Sequence, residues 1–112
     1  MYKLLIVDDE PMTREYIRMN ASGLHREWMC AGEAGDGQEA LDLLDLGETF
    51  DLIITDIKMP VMTGIELARE LAARPDRPRV VILSGYDEFA LAKEAMHYGV
   101  GEFILKPLGN EE

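Results

Sequence analysis

The chain has 112 residues, 47% hydrophobic and 29% charged, which fits one globular domain around one core and excludes a disordered or low-complexity polypeptide. Acidic residues number 22 against 11 basic ones, for a net charge of −11; that sign repels phosphate backbones and anionic membrane surfaces, so direct binding to nucleic acid or membrane is not expected. No apolar run approaches a membrane span or a signal-peptide core, so a cytoplasmic location is expected.

In chain order, KLLIVD is a nearly continuous apolar run ended by Asp8, Asp9 and Glu10, the pattern of a strand buried on both faces. A helix is expected from Pro11 to about Ser22, with proline in its first turn, Tyr16, Ile17 and Met19 among polar residues, and Gly23 as terminator. WMCAGEA is a weaker strand candidate. It holds the lone Cys30, which cannot form an internal disulfide and reads as a small core residue. Asp36 and Glu39 have capping-box spacing at the start of a helix running to Gly47, with Ala40, Leu41 and Leu44 on one face. FDLIITD is a second buried strand, ended by Asp56. Thr63 and Glu66 repeat the capping spacing ahead of Ile65, Ala68 and Leu71. RVVILSG is a third buried strand, ending in Ser84 and Gly85. Asp87 precedes a helical pattern of Phe89, Ala92 and Met96, closed by Gly99. EFILK is a last, weaker strand before Lys106 and Pro107. His25 and His97 have no partner at metal-binding spacing and read as surface residues. Trp28, Tyr98 and the seven methionines read as packing or surface groups.

The order β-α-β-α-β-α-β-α-β predicts an α/β fold, a doubly wound parallel sheet with right-handed crossovers and helices on both faces. In such sheets ligands gather outside the carboxyl ends of the strands. Those ends carry Asp8 and Asp9, Asp56, Ser84, and Lys106. Taken singly, each has a bland reading as a loop acid, a turn hydroxyl or a surface lysine. Gathered on one rim, the carboxylates repel one another unless a hard cation such as Mg2+ or Ca2+ sits among them. A lysine beside that cation leaves room for a bound anion. Asp56 can then act as a nucleophile toward phosphorus, with Lys106 and the metal spreading the charge and Ser84 bonding a phosphoryl oxygen.

VDDEP, TDIKMPVMTG, LSGYDEF and FILKP, in this order from Lys3 to Pro107, resemble the receiver domain of two-component response regulators. The resemblance implies a five-stranded parallel sheet of flavodoxin-like order 2-1-3-4-5. It implies Asp56 as phospho-acceptor, Mg2+ held by Asp8, Asp9, Asp56 and the backbone carbonyl of Lys58, and Lys106 paired with the phosphate. Ser84 would be the switch hydroxyl, Phe103 the aromatic that turns inward with it, and the Lys106–Pro107 bond cis. Lys58 and Tyr86 occupy the positions that tune phosphate lifetime. The phosphoryl group would come from a sensor histidine kinase. The only catalysis expected is that of the domain's own phosphorylation and dephosphorylation. LSGYDEFALAKEAM further resembles receivers joined to AraC-type DNA-binding output domains.

Residues 1–112 are thus expected to be a single receiver domain. After Pro107 only LGNEE remains, where the family continues through a fifth helix. The expectation is a trimmed piece of a longer regulator; a covering partner or an unusual stable variant are the other readings, and a bare apolar face would favour a homodimer. Three rival functions stand beside this. A flavin carrier would need amides and hydroxyls, not VDDEP, after the first strand. An aspartyl phosphatase would want an acid two residues beyond Asp56, where Lys58 stands. A pseudo-receiver acting only as an interaction module would ordinarily lack the acid pair, the acceptor or the lysine.

Overall fold

Each apolar run read from the sequence forms a strand. A computed structural model describes residues 2–24, 28–75, 78–84, 93–94 and 102–105, the side chains of 20–24, 28, 84 and 102–105 excepted. In chain order the elements are β1 (Tyr2–Val7), α1 (Pro11–Leu24), β2 (Trp28–Ala34), α2 (Gly37–Asp45), β3 (Leu52–Asp56), α3 (Gly64–Ala72), β4 (Arg79–Ser84) and β5 (Glu102–Leu105). The strands form one sheet in the order β2-β1-β3-β4-β5, and every neighbouring pair is parallel. This is the doubly wound sheet expected from the sequence. Lys93 and Glu94 are helical; the rest of the helix expected after Asp87 lies outside the described residues, as do His25, His97 and Tyr98.

Strands β1, β3 and β4 bury apolar side chains on both faces, as the continuous apolar runs require. Leu5, Val7, Ile53, Val80 and Ile82 pack with Ala40 and Leu41 of α2 and Ile65, Leu67 and Leu71 of α3. On the other face Leu4, Ile6, Ile54 and Leu83 pack with Ile17 of α1. Of the apolar residues noted on α1, Ile17 alone is buried, while Tyr16 and Met19 are 37% and 69% exposed.

Helix α1 runs through Gly23 to Leu24 instead of ending near Ser22. Glycine terminates a helix by adopting positive φ, but here it stays helical at a cost of about 1 kcal/mol relative to alanine. Helix α2 does stop on a glycine. Gly47 has φ +100, its N–H donates to the Leu44 carbonyl, and the Glu48 N–H donates to that of Leu43, the paired bonds of a Schellman motif.

One irregularity turns out to matter. Leu4 pairs with Cys30 but Leu5 pairs with Gly32, so Ala31 is an extra residue in β2. Such a bulge flips the side chains beyond it to the opposite face. Glu33 therefore lies opposite Ile6 and on the α1 side, where Arg14 and Arg18 meet it.

Candidate functional site

Strand register assembles the rim. Val7 pairs with Thr55 and Thr55 with Ile82, so Asp8 and Asp56 each stand one residue beyond paired strand positions. Asp56 is opposite Leu83, and Ser84, which closes β4, is opposite Leu105. One carboxylate oxygen from each of Asp8, Asp9 and Asp56 lies within 4.8 Å of the others. Asp8 and Asp56 are buried while Asp9 is exposed, so the cluster opens toward solvent on one side. Three oxygen donors, two of them desolvated, fit a hard divalent cation such as Mg2+ and suit no soft metal. The cluster could hold such an ion.

The two buried carboxylates are each held by a nearby backbone N–H. The Glu10 N–H donates to Asp8 Oδ1 at 2.9 Å, and the Ile57 N–H donates to Asp56 Oδ1 at 2.8 Å. Asp8 is fixed on its main chain as well: its N–H donates to the Ala34 carbonyl at 3.0 Å, and its own carbonyl accepts from Nη1 of Arg14. The Thr55 hydroxyl donates to the Asp56 carbonyl at 2.9 Å.

The loop after Asp56 is drawn back tightly to start α3. The Gly64 N–H donates to the Ile57 carbonyl at 2.8 Å. Thr63 caps α3 by accepting from the Glu66 N–H, and the Glu66 side chain accepts from the Thr63 N–H. The loop also touches α2, whose Gly37 N–H donates to the Met62 carbonyl at 3.1 Å. Lys58 is exposed on this loop.

The structure therefore brings together Asp8, Asp9 and Asp56, and places the backbone of Ser84 at the end of the neighbouring strand. The side chains of Ser84 and Phe103 are not among those described. Lys106, Tyr86 and Pro107, with the expected cis bond, lie outside the described residues. Cys30 is half-buried against the α1-side core, and burial pushes its thiol pKa up, which suits a packing residue and not a nucleophile.

The sequence reading passed over Arg14, Arg18 and Glu33. Arg14 Nε and Arg18 Nη1 donate to the two oxygens of Glu33, and the Glu33 hydrogen bond raises the Arg18 pKa above its ordinary value. Arginines four apart on α1 and a single acid inside an otherwise apolar strand were the available signal.

Comparisons with known proteins agree with the geometry. The family model for the response regulator receiver domain matches residues 4–112. The chain is 36% identical to the transcriptional regulatory protein YesN of Bacillus subtilis, covering 100% of this chain and 30% of that protein. It is 37% identical to the transcriptional regulatory protein PdtaR of Mycobacterium tuberculosis, covering 94% of this chain and 49% of that protein. It thus spans half or less of the length of these relatives. Among solved structures, the REC domain of AraT, a response regulator from Geobacillus stearothermophilus, superposes with a TM-score of 0.83 at 36% identity, covering 95% of this chain and 81% of that one. A parallel sheet of order 2-1-3-4-5 with clustered acids at its carboxyl edge, matched along nearly its whole length by one family, makes this chain a response regulator receiver domain.

Proposed function

We propose that Asp56 is the phosphoryl acceptor, with Asp8, Asp9 and the Lys58 carbonyl joining it around Mg2+. The observation that carries this reading is the convergence of the Asp8, Asp9 and Asp56 ligand atoms within 4.8 Å at the carboxyl edge of the sheet. The donor is a phosphohistidine on a sensor kinase. An Asp56 carboxylate oxygen attacks phosphorus, the new P–O bond forms as the P–N bond breaks, and the imidazole nitrogen keeps the bonding pair and takes a proton from solvent. Bound Mg2+ supplies positive charge to the phosphoryl oxygens. The Ile57 N–H, bonded to Asp56 Oδ1 at 2.8 Å, fixes the orientation of the Asp56 carboxylate for that attack. Lys106 pairs with the transferred group, Ser84 bonds one of its oxygens, and Phe103 follows Ser84 inward. Two names among the relatives, both transcriptional regulatory proteins, support a DNA-binding output domain in the full-length protein. The proposed site of action is the cytoplasm. The domain would also pair with a second copy of itself.

Incubation with acetyl phosphate and Mg2+ tests the reading by mass spectrometry. One phosphoryl group is added to the parent chain and none to Asp56→Asn. An unlabelled parent chain would instead indicate a pseudo-receiver.

A further inference from the structure

We infer that Arg14 is a positioning residue for the acid pair: tethered by Glu33, its guanidinium holds the Asp8 carbonyl and so fixes the turn that presents Asp8 and Asp9 to Mg2+. This rests on the proposal that these acids bind Mg2+.

A plain staple between α1 and β2 would need only the two arginines and Glu33, and exposed ion pairs of that kind contribute little. The arrangement does more. Arg14 places Nε on Glu33 Oε1 at 3.1 Å and Nη1 on the Asp8 carbonyl, so one planar group spans β2 and the metal-binding turn. Its side chain is only 20% exposed. Glu33 can reach it because the bulge at Ala31 turns that residue toward α1. Arg18 occupies the second oxygen of Glu33 and completes the tether. A guanidinium released from it would be free to turn toward the nearby carboxylates and compete with the metal for them.

The sign of the effect separates positioning from simple charge. Removing a cation from the neighbourhood of an acid cluster deepens its negative potential, so a charge-only role predicts tighter Mg2+ binding. Loss of a positioning group predicts weaker binding, by about 10- to 100-fold for a residue orienting a ligand. Lysine keeps the charge but lacks the fork that engages two acceptors at once.

The experiment is calorimetric titration of MgCl2 into the 112-residue chain and its variants at fixed ionic strength. Arg14→Met and Arg14→Lys should both weaken binding, with circular dichroism confirming the fold. Should the methionine variant not fold, the lysine variant decides. Glu33→Gln alone should weaken binding, but added to Arg14→Met it should weaken binding no further, because the tether then has nothing to hold. Mg2+ binding in both Arg14 variants as tight as in the parent, or tighter, overturns the inference. Fully additive losses overturn the tether. A parent chain that binds no Mg2+ overturns the underlying site reading instead, which is a separate outcome.

Discussion

Gly64 shows how tightly the loop after Asp56 is folded. A Cβ built there would lie 2.0 Å from the Asp56 carbonyl oxygen and 3.0 Å from its carbon. Both are backbone atoms at the end of a buried strand and cannot swing aside as a flexible side chain would. Gly64→Ala should therefore destabilise the fold by about 2–3 kcal/mol in chemical denaturation, and slow labelling of Asp56 by acetyl phosphate in whatever fraction stays folded. Three residues earlier the same loop carries the opposite kind of constraint. Val61 adopts φ 66 while 80% exposed, a left-handed conformation that a β-branched residue tolerates poorly. Asparagine accepts it more readily, so Val61→Asn should raise stability by about 1 kcal/mol in the same assay. Lys58 lies between Asp56 and this turn. Bulky groups at Lys58 and Tyr86 would screen an acyl phosphate from water, so Lys58→Asn and Tyr86→Glu should speed loss of label from the phosphorylated chain. Equal decay rates in parent and variants would dispose of the screening idea.

At the scale of elements, the two helices that begin beside the site are held by different caps despite the same sequence spacing. In α3 the box closes fully, Thr63 and Glu66 each bonding the other's N–H. In α2 only half of it forms: Asp36 Oδ1 accepts from the Glu39 N–H, but Glu39 reaches past Asp36 to the N–H of Gly35. Thr63→Ala should thus cost about 1 kcal/mol and loosen the end of the loop after Asp56, read as faster amide exchange at Gly64 and Ile65. The caps themselves were legible from sequence because their partners lie three residues apart. The strand ends at Asp8 and Asp56 were legible too, since an apolar run stopped by an acid marks where a buried strand meets the rim. The role of Glu33 was not. It depends on an extra residue at Ala31 that reverses which face the strand presents, and bulges are set by pairing with a distant strand, not by local composition. The true end of α1 at Leu24 escaped because Gly23 permits a stop without requiring one.

For the molecule as a whole, two buried carboxylates and an exposed one crowd the carboxyl edge of a chain whose net charge is −11. Folding brings these charges together, so without a divalent ion their repulsion opposes the native state. A cation that binds the folded chain and not the unfolded one stabilises by mass action, about 2.7 kcal/mol at a hundred times its dissociation constant. Monovalent salt screens exposed charges but reaches buried ones poorly, so NaCl at matched ionic strength should reproduce only a small part of the gain. Asp56→Asn provides the sharper comparison. It removes one of the mutually repelling charges, so in buffer with chelator the variant should unfold at a higher urea concentration than the parent. Addition of Mg2+ should then raise the parent's midpoint by more than the variant's, narrowing or reversing the order. Identical responses of the two chains to Mg2+ would mean that the ion stabilises the molecule somewhere other than among residues 8, 9 and 56.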